Sequence, residues 1–252
     1  MKKETRNALM AAGIVAAVFA ASYVCLIVYS GESPPFYTVE SGSMMHSDSS
    51  KIGIIDTGDL VIVRDPSKVS ITTYIEGHET GYQKFGDYGD VIIYNAPGGK
   101  TIIHRAILYL ELNTDGTTWN VRGYDSYTGT KFCTDDTSGA MSGTLTLSGL
   151  GYDGTRTISL NLNSLTSAGS GFITMGDHNT AHDGLVVNYD MVTAVAAHEI
   201  PWLGCIKMYL TGNNTDRIPS NSLWSLVIVI IVIAVSATLI SISYDRLKHR
   251  KD

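Results

Sequence analysis

Two long apolar stretches lie near the ends of the chain. Residues 8–30 and 223–244 contain no charged side chain over 23 and 22 residues. About 20 helical residues cross the hydrocarbon layer of a membrane, and neither stretch has the polar stripe of a buried core helix. The sequence predicts two transmembrane helices. The apolar run of the first exceeds the roughly 7 to 15 residues in the core of a cleaved signal peptide, which favours a retained anchor.

Between these stretches the pattern is typical of β-structure. Short apolar runs separated by Gly and Asp turns predict strands at 59–63, 90–94 and 101–107. Core-like sequence resumes at 171–179 and continues to residue 195. No long helical periodicity is present, so the sequence predicts a mainly β domain.

Residues 109–170 differ from their surroundings. Alternating runs such as 143–147 and 157–162 lie between Asx-Gly turns, which is typical of hairpins with one wet face. We expect a hairpin-rich inserted subdomain there. The predicted organisation begins with an N-terminal segment (1–7) and a transmembrane helix (8–30). A catalytic β core in two parts (31–108 and 171–210) follows, with the insertion (109–170) between those parts. A juxtamembrane segment (211–222), a second transmembrane helix (223–244) and a basic tail (245–252) come after the core.

Charge is distributed unevenly. The two ends, residues 1–30 and 223–252, carry seven Lys+Arg against three Asp+Glu, whereas residues 31–222 carry 11 against 21. By the positive-inside tendency both termini lie in the cytoplasm and the acidic domain lies outside the cell membrane, in contact with its lipid. A domain of net charge −10 excludes nucleic acid as a partner, because phosphate binding needs a positive surface.

Candidate chemistry begins with Ser41-Gly42-Ser43-Met44-Met45, which follows the first apolar stretch by only a few residues. A serine hydroxyl needs a base to become a nucleophile, and the base works best when a third group orients it. His104 lies in a predicted strand, and Asp177 and Asp183 lie in a later loop. Taken singly, each has an ordinary structural explanation, such as a core histidine or a turn aspartate.

Taken together, five blocks occur in a familiar order and spacing. They are Ser41–Met45, Gly58-Asp59, Ile103-His104-Arg105, Gly176-Asp177-His178-Asn179 with Asp183, and Ile200–Gly204. The chain resembles the type I signal peptidases, in particular their archaeal and endoplasmic-reticulum branch. The resemblance covers residues 35–105 and 171–208, and the insertion matches nothing in that family.

The resemblance implies a β-rich serine endopeptidase that removes signal peptides from preproteins emerging from the translocon. It assigns the nucleophile to Ser43, the general base to His104 and a hydroxyl donor to the oxyanion to Ser41, alongside the Ser43 backbone N–H. Asp183 is favoured as the group that orients His104, and Asp177 as a support for its loop. No cofactor and no metal are implied. Since no lysine lies in the His104 block, a Ser-Lys mechanism is disfavoured.

Two positions depart from the family pattern. His46 stands where the family has a proline, and Met175 stands where a lysine is common. Loss of the proline leaves the nucleophile turn less restricted in φ.

Two other functions are compatible with the sequence. His178, His182 and Asp183, joined by His46, could form the metal site of a membrane-anchored metal-dependent hydrolase. The β domain could instead be a non-catalytic binding subunit of an envelope complex.

Overall fold

The computed structural model describes residues 3–248. Its helices are α1 (Lys3–Ser30), α2 (Tyr74–Thr80), α3 (Gly204–Thr211) and α4 (Ser220–Lys248). Its strands are β1 (Phe36–Thr38), β2 (Leu60–Arg64), β3 (Gln83–Lys84), β4 (Asp87–Tyr88), β5 (Val91–Ala96), β6 (Lys100–Leu112), β7 (Trp119–Val121), β8 (Thr130–Thr137), β9 (Ala140–Leu150), β10 (Arg156–Asn161), β11 (Gly171–Met175) and β12 (Val192–Ile200). The protein is therefore mainly β with a long helix at each end, as the sequence predicts.

The terminal helices α1 and α4 are both long and apolar enough to cross a membrane. The qualifying segments are Leu9–Ser30 and Ser220–Ser241, and neither is buried against the rest of the protein. Both segments are therefore candidate membrane-spanning helices.

One large antiparallel sheet forms the body of the domain. Its strands follow the order β1-β2-β12-β5-β6-β7-β9-β10, with β11 paired to β6 and β8 paired to β9. The strands predicted at 59–63, 90–94 and 101–107 correspond to β2, β5 and β6. Of these three, β5 lies in the middle of the sheet and is covered on both faces, since Val91, Ile92, Ile93 and Tyr94 are all buried.

Strand β6 joins the core to the insertion. It continues to Leu112, past the boundary expected at residue 108, and its last residues pair with β7. The hairpins β8–β9 and β9–β10 then extend the same sheet. The β-rich insertion expected at 109–170 therefore shares a sheet with the core. Its apolar core, which includes Trp119 and Leu145, also packs against residues of β6 and β11 such as Leu108 and Ile173.

Two short helices were not predicted from the sequence. In α2 the carboxylate of Glu76 accepts hydrogen bonds from the N–H and hydroxyl of Thr73, and Gly81 ends the helix at φ +74°. The second, α3, replaces the β-structure expected before residue 210. Both helices are eight residues or shorter, too short for a helical period to stand out from strand-like neighbours.

A tight junction connects the start of β2 with α3. Asp59 accepts hydrogen bonds from the N–H groups of Asp56 and Trp202, and the Cys205 N–H donates to the Gly58 carbonyl. A Cβ on Gly204 would lie 2.4 Å from the Asp59 carbonyl oxygen. The contacts of Gly58, Asp59 and Gly204 therefore hold the start of β2 against α3, at the end of the domain next to α4.

Candidate active site

Ser43 lies in a short turn between β1 and β2. The next residue, Met44, is 1 % exposed and packs in the cluster formed by β2, β5 and β12, so it anchors the turn to the core. The Met45 N–H donates to the Gly42 carbonyl. Ser41 Oγ and Ser43 Oγ are hydrogen-bonded at 3.3 Å. The two serines of the pentapeptide are thus neighbours in space, with Ser43 fixed from its C-terminal side.

His104 lies on β6, opposite Ile92 of β5, and is 7 % exposed. Its Nδ1 donates to the carboxylate of Asp183, at 2.8 Å from Oδ1 and 2.7 Å from Oδ2. Because Nδ1 carries the proton in this contact, Nε2 of the neutral ring is left as an acceptor. That is the tautomer a general base requires.

Asp183 is held by two further groups. Tyr94 Oη donates to Asp183 Oδ2 at 2.7 Å, and Thr174 Oγ1 donates to the same oxygen. Burial by itself would raise the pKa of this carboxyl, but the hydrogen bonds from His104, Thr174 and Tyr94 outweigh it and the pKa is lower than the ordinary 3.8. Asp183 is therefore an ionised, fixed acceptor beside the imidazole.

Asp177 makes different contacts. It is 3 % exposed and accepts hydrogen bonds from both Nε and Nη2 of Arg105, whose side chain is fully buried. Burial would raise the pKa of Asp177, but the charge of Arg105 and its hydrogen bonds hold the pKa below its usual range. Arg105 Nη1 also lies within hydrogen-bond distance of four backbone carbonyls between Lys84 and Gly89. Asp177 thus belongs to a buried ion pair and does not contact His104.

The loop after β11 brings the serine turn to the imidazole. The His178 N–H donates to the Ser43 carbonyl at 2.8 Å. A Cβ added to Gly176 would lie 2.5 Å from the Ser43 carbonyl oxygen and 2.9 Å from His104 Nε2. Both groups therefore pack against the bare α-carbon of Gly176. Within residues 3–248, Ser43 Oγ hydrogen-bonds to Ser41 and not to His104.

Two clefts meet at the serines. The larger, about 950 Å³, is lined by segments of β1 and β6 and by side chains that include Ser41, Ser43, His104, Asn179 and Asp183. The smaller, about 580 Å³, lies on the other side of the turn. Ser41, Ser43, Asn179 and Arg217 line both clefts. The serine turn therefore stands between two concave surfaces.

The residues of the alternative metal site point to separate partners. His46 contacts Asp177, His178 Nδ1 donates to the Met45 carbonyl, and Asp183 contacts His104. His182 Nδ1 accepts the Gly184 N–H. Among residues 3–248 no group of three or more His, Cys, Asp or Glu side chains is placed to hold a metal ion together.

Lysines near the site do not take the place of His104. Burial lowers the pKa of Lys84, but its ammonium donates to the Ala196 carbonyl and the side chain lines neither cleft. Lys100 lines the larger cleft at the start of β6, four residues before His104.

Several residues of the site were not found from the sequence. Tyr94 and Thr174 lie on two different strands, each in a continuously buried run, so no alternation of buried and exposed positions marks the face they share. Asn179 belongs to the Gly-Asp-His-Asn block, so its place at both clefts had a sequence signal. Arg217 lies in the segment before α4, and nothing in the sequence pointed to its place at both clefts.

Comparisons with known proteins add no family assignment. A scan against protein-family models gives no match, and a search of curated proteins gives none either. The functional interpretation therefore depends on the geometry described above.

Proposed function

We propose that the protein is a membrane-bound serine endopeptidase that cleaves N-terminal signal peptides from translocated preproteins after a small residue. One observation carries this proposal: the Asp183–His104 hydrogen bonds fix the imidazole in the base tautomer at the wall of a cleft that Ser43 also lines. A buried carboxylate that orients a histidine beside a serine is the arrangement of nucleophilic acyl transfer. The family resemblance in the sequence points to the same residues.

In the proposed reaction Ser43 Oγ attacks the carbonyl of the residue before the cut, and His104 Nε2 takes its proton. Ser43 turns from Ser41 toward the imidazole in this step; catalytic hydrogen bonds often form only when substrate is bound. The oxyanion accepts hydrogen bonds from the Ser43 N–H and the Ser41 hydroxyl. His104 then protonates the departing amine, and water repeats the cycle on the acyl-enzyme. Asp183 stabilises the imidazolium that His104 forms during acylation and again during hydrolysis of the acyl-enzyme.

The larger cleft supports an extended peptide as substrate. Residues 100–104 of β6 pair with β5 on one side, whereas the pairing with β11 begins only at Arg105. The opposite edge of 100–104 therefore has unpaired backbone groups, and these residues line the cleft across from β1. An extended segment can add to such an edge by main-chain hydrogen bonds. The smaller cleft would take residues after the cut.

The ends of the chain support a location at the membrane. The proposed arrangement has α1 and α4 crossing the cell membrane, both termini in the cytoplasm and the β domain outside. Ser43 follows Ser30 by thirteen residues, which span at most roughly 45 Å. Helix α3 buries Cys205 and Met208 but exposes 44 % of Ile206 and 82 % of Leu210, an apolar face suited to the lipid interface. A signal peptide still embedded in the bilayer would be within reach.

The test uses the full-length protein reconstituted in vesicles and a precursor with a small-x-small cleavage sequence. Ser43→Ala and His104→Ala should abolish cleavage, while Ser49→Ala, an exposed serine six residues further on, should leave it unchanged. Mass spectrometry of the product locates the cut. Full activity of Ser43→Ala would refute the proposal. Loss of activity on chelation would favour the metal-dependent hydrolase, and no cleavage by the parent protein would favour the binding subunit.

A further inference from the structure

The turn between β9 and β10 reaches from the insertion to the serine turn. The Tyr152 ring stacks on the imidazole of His46, with ring centroids 3.9 Å apart and planes 9° from parallel. His46 Nε2 in turn donates to Asp177 Oδ2 at 2.9 Å. His46 comes three residues after Ser43. One aromatic side chain of the insertion thus contacts the turn that carries the candidate nucleophile.

A second side chain of the same hairpin contacts the opposite loop. Arg156 Nε donates to the Asn179 carbonyl at 3.0 Å. The guanidinium of Arg156 lies over the Tyr152 ring, 4.8 Å from its centroid, on the face that His46 does not occupy. It also pairs with Asp153. The three side chains therefore lie in the order His46, Tyr152, Arg156. The hairpin therefore holds the serine turn through the contact of Tyr152 with His46, and the 176–179 loop through the contact of Arg156 with Asn179.

The serine turn and the 176–179 loop contact each other over a short span. His178 donates its N–H to the Ser43 carbonyl and its Nδ1–H to the Met45 carbonyl at 3.1 Å. His178 lies between Asp177, which binds His46, and Asn179, which binds Arg156. A shift of the hairpin would therefore move both sides of the contact that sets Ser43 against Gly176 and His104.

We propose that Tyr152 and Arg156 are positioning residues that fix the serine turn and the 176–179 loop relative to each other. This inference rests on the proposed function, because it assigns the insertion a part in placing Ser43. It also accounts for His46: where a proline would restrict the turn from within, the stacked imidazole and its bond to Asp177 restrict it from outside. The insertion thereby becomes a component of the catalytic domain.

The substitution that tests this is Tyr152→Leu, which removes the stacked ring and retains an apolar side chain. Within the described residues the Tyr152 hydroxyl has no hydrogen-bond partner, so Tyr152→Phe keeps the ring contacts with His46 and Arg156 and should retain the parent's activity. Phe132→Leu is the matched control, since Phe132 is an aromatic of the same insertion, 63 % exposed on β8. A misplacement of about 1 Å in an active site costs roughly 100-fold in rate.

We expect kcat of the full-length Tyr152→Leu protein to fall about 10- to 100-fold, with KM for a signal-sequence peptide within about threefold of the parent. Tyr152→Phe and Phe132→Leu should match the parent. In NMR spectra of histidine-labelled protein, the His46 ring protons should move downfield in Tyr152→Leu only, because the ring current of the stacked tyrosine is lost. This signal reports the contact whether or not the protein is a peptidase.

A kcat of Tyr152→Leu within twofold of the parent, or a Tyr152→Phe protein as impaired as Tyr152→Leu, would overturn the inference. So would an effect confined to KM. If Tyr152→Leu does not fold, His46→Asn decides instead, because it removes the stacked ring and keeps a donor for Asp177. Cleavage that survives Ser43→Ala refutes the proposed function and is recognised separately, since the NMR shift of His46 would still be present.

Discussion

The two aspartates of the 176–183 loop provide the sharpest test of the site, because the same substitution should impair turnover at Asp183 and stability at Asp177. In Asp183→Asn one carboxylate oxygen becomes an NH2 group. Oδ2 accepts hydroxyl protons from both Thr174 and Tyr94, so the amide oxygen is favoured there and the NH2 group takes the Oδ1 position, 2.8 Å from His104 Nδ1. The imidazole then carries its proton on Nε2 and cannot accept one from Ser43.

The size of this effect follows from the role of the tautomer. In a Ser-His-Asp site the corresponding change lowers kcat by about 10⁴, which is about 5.4 kcal/mol in the activation barrier. Folding should suffer little, because the Thr174 and Tyr94 hydroxyls, which lie 3.1 Å apart, can both still donate to the amide oxygen. We expect Asp183→Asn to be folded, with kcat reduced about 10³- to 10⁴-fold.

Asp177→Asn should instead destabilise the fold. It removes the charge that faces the fully buried guanidinium of Arg105, leaving Asp87 at 4.0 Å and backbone carbonyls as the remaining partners. Breaking a buried ion pair in this way costs about 3 to 5 kcal/mol. The fraction of Asp177→Asn that folds should keep most of its turnover, because the His104–Asp183 contact is intact.

The assay measures kcat and KM of the purified full-length variants on a signal-sequence peptide, together with thermal unfolding followed by circular dichroism. The expected result is a low kcat at unchanged melting temperature for Asp183→Asn, and a low melting temperature for Asp177→Asn. An Asp183→Asn protein with kcat within tenfold of the parent would refute the reasoning. So would an Asp177→Asn protein that keeps its melting temperature and loses turnover.

Three further predictions follow from the same contacts. Ser41→Ala should lower kcat about 10²- to 10³-fold with little change in KM, the usual cost of one oxyanion donor; an unchanged kcat in the peptide assay would assign Ser41 a merely structural part. Gly176→Ala would place a methyl group 2.5 Å from the Ser43 carbonyl, so kcat should fall at least 100-fold, and crystallography should show the serine turn displaced. Burial raises the pKa of Glu199 to about 7 from the ordinary 4.5, so its contribution to stability is full below pH 4.5 and is lost as the pH rises through 7. Glu199→Gln should therefore reduce the loss of unfolding free energy between pH 5 and pH 8 in denaturant titrations; an equal loss in both proteins would contradict this.

The strands were predictable where the chain is apolar on both faces. Residues 91–94 are continuously apolar and form the buried centre of β5, and the uncharged ends form α1 and α4. The junction at Leu112 was not predictable, because a strand that continues from core to insertion has no change of pattern at the boundary. The short helices α2 and α3 depend on caps and tertiary contacts that periodicity does not record.

The candidate site was predictable only as far as its members belong to recognisable sequence blocks. Ser43, His104 and Asp183 do, and the structure places them around one cleft. Tyr152 carries no chemical signal of its own, since an aromatic residue in a Gly-Asp turn is ordinary. Its contact with His46 arises because the β9–β10 hairpin folds back over the serine turn, and such a long-range approach is a property of topology.

The separate tasks of Asp177 and Asp183 have a common origin in the strand they face. His104 and Arg105 are consecutive on β6, so their side chains leave opposite faces of the sheet. The loop after β11 passes over this point and supplies one carboxylate to each. The Arg105 ion pair therefore fixes the near end of the loop on the buried face, while Asp183 binds His104 on the cleft face through its own hydrogen bonds. Gly176 lies at the crossing because only a residue without a side chain lets the Ser43 carbonyl and the imidazole approach the same α-carbon. The geometry of the candidate site thus depends on a strand, a loop and a turn that meet at one glycine.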